Sequence, residues 1–191
     1  RLSFRNLIAG DAALAAGFLC SRAAADGEPL VVGWAVVRRA LVAASPLAEA
    51  GIRALAARNR DAGRTVRDAL AQAGRGPSGW TLERTADWLQ RLRAARGPSA
   101  KGELIAAAFA RLASVEASYL ARIILGDMRI GVREGLVEEA LARSAGCDLE
   151  HVRKAGMLTG GIQQTALLAF EGRLDQARLV PGRALRVMLA G

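Results

Sequence analysis

One histidine, two cysteines, two lysines and one tyrosine are all that 191 residues contain of those types. Each scarcity excludes a chemistry. His151 has no second histidine to work with, so two-histidine catalysis is out. Cys20 and Cys147 cannot make a disulfide framework, nor, with one histidine, a Cys/His zinc site. Aromatic residues are 4% of the chain, while 52% is hydrophobic, much of it alanine. A chain rich in Ala, Leu and Arg and poor in β-branched and aromatic residues favours helix over sheet. No apolar run reaches about 18 residues, which excludes a transmembrane helix, and the start does not read as a signal peptide. The expected location is cytoplasmic. The length suits one large domain or two small ones with a sizeable core. The chain opens on Arg1 rather than Met, as a piece of a longer protein would.

What is abundant is arginine. The 27 Lys plus Arg outnumber the 18 Asp plus Glu, for a net charge of +9, and only Lys101 and Lys154 are lysines. Arginine's planar fork matches phosphate oxygens. The charge is concentrated: residues 58 to 101 hold ten basic residues against four acidic ones, two-thirds of the net surplus. Such a segment points to nucleic acid first and an anionic membrane second, with a solvated face as the plain alternative.

The periodicity predicts an all-α fold of about nine to eleven helices. A helical stripe runs from Asp11 to about Ala25. Gly33 to Ala44 is strongly apolar. Ser45-Pro46 reads as a capped helix start leading to about Arg58, and another helix covers Ala62 to Ala73. Thr81 caps a helix with Leu82, Ala86, Trp88 and Leu89 on its core side and Arg84, Arg91 and Arg93 on the other. Ser99 is expected to cap a helix over Ala100 to Leu112, followed by Val115 to Leu125, a turn over Asp127 to Val132, and Glu134 to Ser144. Asp148 caps a short helix, Gly156 to Gly161 is loose, and Ile162 to Phe170 is helical. The tail from Val180 to Leu189 reads as an extended linker.

Two loops could carry function. The first is Arg96-Gly97-Pro98-Ser99-Ala100-Lys101-Gly102. It puts glycine, a hydroxyl and two cations at a helix N-terminus, where free N–H groups and the positive dipole end favour an anion. The plain reading is an ordinary capped helix start. It lacks the G-x-x-x-x-G-K-S/T spacing of a Walker A loop. The second is Leu125-Gly126-Asp127-Met128-Arg129-Ile130-Gly131-Val132-Arg133-Glu134-Gly135. Its glycines would let a polymer backbone approach, and Arg129 and Arg133 could reach phosphates or a minor groove. Turn geometry alone would also explain the glycines. No catalytic or metal-binding constellation is present. Glu138 and Glu139 are consecutive and point to different faces. Trp34, Trp80 and Trp88 could stack on bases, but the helical spacing around Trp34 and Trp88 favours core packing.

The run from Tyr119 to Ala140, with Leu125-Gly126-Asp127-Met128-Arg129-Ile130-Gly131-Val132 at its centre, resembles the L-x-G-x-x-R-x-G-V/L hairpin of the N-terminal DNA-binding domain of ATP-dependent DNA ligases, bacterial type. Arg133-Glu134-Gly135-Leu136-Val137-Glu138-Glu139-Ala140 continues the likeness. Val32-Gly33-Trp34-Ala35, Ser99-Ala100-Lys101-Gly102-Glu103-Leu104, Ala155-Gly156-Met157-Leu158-Thr159-Gly160-Gly161-Ile162 and Arg183-Ala184-Leu185-Arg186-Val187-Met188-Leu189-Ala190 resemble family segments in the same order. Gly161 stands where an acidic residue is usual, and Ala184 and Val187 stand in place of linker prolines.

The resemblance implies a helical DNA-binding domain over residues 1–178 and a linker over 179–191 toward a catalytic nucleotidyltransferase domain. The parent enzyme would use ATP and magnesium to adenylate a lysine in K-x-D-G and seal nicks. Lys101 is followed by Gly-Glu-Leu and Lys154 by Ala-Gly-Met, so neither fits that motif, and this chain is expected to bind without sealing. It would hold nicked double-stranded DNA as a monomer, without sequence preference, through minor-groove and phosphate contacts. The implied contacts are Gly126, Arg129 and Gly131, then Ser99 and Lys101, with Arg93, Arg96 and Arg133 alongside. The competing reading is a helical protein-interaction module whose basic face meets an acidic partner.

Overall fold

In the computed structural model, residues 3–20, 30–128 and 134–179 are described. They fold into ten α-helices, with no strand among them. The chain divides into two compact units.

The middle of the chain, Glu28–Met128, is one unit. It holds α2 (Trp34–Ala44), α3 (Glu49–Asn59), α4 (Ala62–Ala71), α5 (Leu82–Ala94), α6 (Gly97–Phe109) and α7 (Ser114–Leu125). Helix α4 packs on α7 and α3, α2 packs on α6, and α5 meets α6. Aliphatic side chains at helical spacing fill this core: Val37 and Leu41, Val66 and Leu70, Leu89 and Leu92, Ile105 and Phe109 are all buried.

The other unit is built from both ends, Arg1–Gly27 and Arg129–Gly191. It holds α1 (Ala9–Leu19), α8 (Glu134–Ala145), α9 (Leu149–Thr159), α10 (Ile162–Phe170) and a 3-10 turn at Leu174–Gln176. Its core joins Phe4, Ala12 and Ala16 to Val137, Leu141, Ile162 and Ala166. The Phe4 N–H donates to Ser144 Oγ at 3.0 Å. Alanine and glycine let α1 and α10 approach closely: a Cβ on Gly17 would stand 2.0 Å from Gln163 Nε2.

Four expectations need correction. Ser45-Pro46 does not start a helix. Ser45 takes an extended conformation after α2, as a residue before proline prefers, its Oγ accepts from the Leu47 N–H, and α3 starts at Glu49. Ser99 is not an N-cap. Gly97 adopts φ +80° and Pro98 occupies the first turn, so α6 begins earlier, after Arg96, and stops at Phe109. Proline's fixed φ suits that first turn. Gly156 lies inside α9, where a Cβ would sit 3.6 Å from Thr165 Oγ1 and 3.8 Å from Glu138 Oε1. Those would be ordinary contacts; the helix runs on through Gly156, and the chain turns only at Gly160, with φ +66°. Helix α1 ends at Leu19, capped by Cys20; the remainder of that expected helix, the turn from Arg129 to Val132 and the tail from Val180 lie outside the described residues.

Candidate nucleic-acid interface

The first loop is built on a pair of parallel helices. Gly102, in the second turn of α6, faces Val36, in the first turn of α2: a Cβ there would be 3.8 Å from Val36 Cγ1. At the far ends, the Arg75 guanidinium donates to both last carbonyls. Its Nη1 is 3.0 Å from Phe109 O and its Nη2 is 3.3 Å from Ala44 O. The two N-termini therefore share one end of the pair, and the two C-termini share the other. Parallel macrodipoles repel side by side, and a cation at the negative ends relieves that. Arg75 supplies that cation.

At the positive ends no side chain caps either helix. Gly33 precedes α2 and Arg96 precedes α6, and neither makes a side-chain capping bond. Asp61, Thr81 and Asp148 cap α4, α5 and α9 with their side chains, while α1, α3 and α10 also lack such a cap. The uncapped end carries Lys101, whose Nζ donates to Leu30 O at 3.0 Å, just ahead of α2. An ammonium has three donors, so this anchor leaves two for another partner. Ser99 is exposed and its Oγ donates to Glu103 Oε1 at 3.3 Å. Arg96 is exposed, and Arg93, half-buried, lies in the last turn of α5. The structure thus gathers Arg93, Arg96, Ser99 and Lys101 around one helix-to-helix turn.

The second loop begins at Gly126, which ends α7 in the left-handed region with φ +68° and ψ 23°. The Asp127 N–H donates back to Arg122 O at 3.0 Å and the Gly126 N–H to Ile123 O at 3.2 Å, closing the helix in a Schellman-like turn. Among the described residues, nothing lies within 4 Å of where a Gly126 Cβ would be. The left-handed conformation that terminates the helix favours this glycine. Arg129, Gly131 and Arg133 lie outside the described residues.

Several other charged groups serve architecture. Arg122 pairs with Asp61 at 2.9 Å and donates to Met128 O at 3.3 Å. Arg84 lies over the Trp80 ring at 5.2 Å, and that ring meets buried Trp88 at 6.0 Å. This arrangement makes Trp80 and Trp88 packing residues, with an arginine covering one face of Trp80. The Glu116 carboxylate accepts from Ser78 N–H at 3.1 and 3.2 Å and from Ala113 N–H at 2.9 Å. Burial pushes Glu116 up, but those backbone donors outweigh it and hold the carboxyl below its ordinary value. Burial likewise raises Glu138, against the pull of Arg153. Arg75's role and the Glu116 bond to Ser78 carry no sequence signal, because those partners are 31 to 38 positions away.

Among the described residues no group of His, Cys, Asp and Glu could hold a metal ion, and no helix is long and apolar enough to cross a membrane. The family model described as "DNA ligase N terminus" matches residues 3–142. A probable DNA ligase of Opitutus terrae is 35% identical over 215 residues, covering 94% of this chain and 21% of its own length. One from Koribacter versatilis is 36% identical over 182 residues, covering 94% of this chain and 32% of its own length. One from Rhodococcus opacus is 43% identical over 91 residues, covering 46% of this chain and 18% of its own length. The chain thus spans between a fifth and a third of the length of the first two relatives. A helical fold with an arginine-rich segment, the glycine-arginine hairpin sequence and a match over residues 3–142 agree: this chain belongs to the DNA ligase N-terminal family.

Proposed function

We propose that this chain is the DNA-binding region of an ATP-dependent DNA ligase and holds nicked duplex through phosphate and minor-groove contacts, without reading sequence. The observation that carries the reading is the shared, uncapped end of α2 and α6 beside Lys101. Backbone N–H groups and a positive dipole end bind phosphate with no base-specific side chain. Arg93, Arg96 and Ser99 extend that end, and Gly126, Arg129, Gly131 and Arg133 form the second contact. The parent enzyme would supply the K-x-D-G lysine and take ATP and magnesium in a further domain, so nick sealing would need that domain.

The test is a titration of the chain with nicked duplex at several salt concentrations, beside scrambled duplexes and single strands. A log–log slope of several units, equal across duplex sequences, is expected for multiple phosphate contacts. A flat slope with no duplex binding would sink the reading.

A further inference from the structure

The unit built from the two chain ends contains a cavity of about 490 Å³ that the DNA reading does not use. One wall is a single face of α9, with His151, Lys154 and Leu158 at helical spacing; the other is the segment of the 3-10 turn, with Leu174, Asp175 and Arg178. The floor is aliphatic. Leu158 and Leu174 are half-buried and pack beside Ala155, Leu168 and Ala177. The rim is basic. Lys154 and Arg178 are exposed cations and His151 is exposed beside them, against the single carboxylate of Asp175.

The acidic neighbours of α9 are already engaged. Arg153, on another side of the helix, pairs with Glu150 at 2.8 Å and lies 3.9 Å from Glu138. Lys154 and His151 have no hydrogen bond or ion pair to any described residue. Arg178 donates from Nη1 to the carbonyls of Asp175 and Ala177 at 2.8 and 3.0 Å. That fixes the turn and leaves its other donors for a partner.

We propose that this groove is a docking site for an acidic protein segment with an aliphatic anchor residue. Leucine-like side chains would fill the floor, and flanking Asp or Glu would meet Lys154 and Arg178. Charge complementarity selects acid, and the aliphatic floor selects a side chain such as Leu. Among the described residues no Phe, Tyr or Trp lines the cavity, and its aliphatic floor suits a branched alkyl side chain better than a flat base. Volume and composition fall in the ordinary range for a pre-formed site, where apolar walls give affinity and a few polar groups give orientation. This site is independent of the DNA reading.

The test uses a short synthetic peptide alternating acidic residues with leucine, titrated into the chain by fluorescence anisotropy. Controls are the same peptide with Leu replaced by Ser, the same peptide with its acids amidated, and nicked duplex. Saturable binding of the first peptide and loss with either control is expected. Lys154→Glu with Arg178→Glu should weaken it about tenfold, as reversing two rim charges would, with duplex affinity unchanged. Should the double variant melt early, Lys154→Glu alone decides, with a weakening of about threefold expected from one rim charge. Equal binding of the leucine-free peptide would overturn the proposal, as would unchanged peptide affinity in Lys154→Glu. Lost duplex binding with peptide binding intact would assign these cations to nucleic acid and overturn it too.

Discussion

Arg122 donates from its Nη2 to Asp61 Oδ1 at 2.9 Å, joining the end of α7 to the start of α4 across 61 positions of sequence. The same carboxylate caps α4 by accepting the Arg64 N–H at 2.6 Å, and both side chains are more than four-fifths buried. Asp61→Ala removes a cap and strands a largely buried guanidinium. It should lower unfolding free energy by about 2–3 kcal/mol. Asp61→Asn keeps a capping oxygen and should cost about half as much. Urea denaturation followed by circular dichroism measures both; equal losses for the two variants would mean that the retained oxygen contributes nothing and that the charge carries the whole effect.

Gly63 makes room for that guanidinium. A Cβ there would stand 2.4 Å from Arg122 Nε, and Arg122 cannot swing away without leaving Asp61 and Met128. Gly63→Ala should cost about 1–3 kcal/mol by overpacking. Combined with Arg122→Ala, much of that loss should vanish, since adjacent substitutions are not additive. A double-mutant cycle in urea reports the coupling.

Arg75→Met takes the cation from the paired C-termini of α2 and α6. Stability should fall by about 1–2 kcal/mol, the scale of charge-assisted bonds to helix-end carbonyls. Thermal melts at low and high salt check the cause. The loss should shrink as salt screens the dipoles.

Glu116 gives a pH dependence. Its folded pKa lies below the ordinary 4.5. Its contribution is therefore fully present above that value and drains away as pH falls through the folded one. Glu116→Gln should flatten the acid limb of the stability curve and loosen the loop that holds Ser78. Melting temperature against pH, with tryptophan fluorescence reporting on Trp80, is the measurement. An acid limb of unchanged steepness would assign it to other carboxylates.

On the nucleic-acid side, Arg129→Ala should weaken nicked and intact duplex alike. Replacing Ser99 and Lys101 together should lower the salt slope by about one unit for the lost cation. Titrations of both variants across salt check this; an unchanged slope would take Lys101 off the DNA surface.

The helical class was legible because Ala, Leu and Arg repeat at helical spacing, and the family because the Leu125–Val132 run is specific. Gly126, Thr81 and Asp148 act at helix ends as their residue types suggest. Ser45 misled because a serine beside proline satisfies a local turn as readily as a helix start, and Ser99 because Gly97-Pro98 begins the helix before it. Gly156 misled because a glycine reads as a helix breaker, yet α9 runs through it to Thr159. The α2–α6 pairing was invisible: Arg75 reads as one more DNA arginine until both carbonyls are seen within its reach. Lys101 was singled out from its loop, but its anchor on Leu30 lies 71 positions away.

The bond from Phe4 to Ser144 spans 140 positions, and α1 packs on α10. On the ribosome, α1 is made before the middle unit and docks only after it. The middle unit, 28–128, is complete in the chain before α8 exists, and its contacts are closer in sequence, which favours early folding. Until α8 and α10 emerge, the buried residues of α1, Ala12 and Ala16 among them, have no native core to join. The nascent chain thus carries an undocked hydrophobic helix while the whole middle unit is made, a natural target for chaperones.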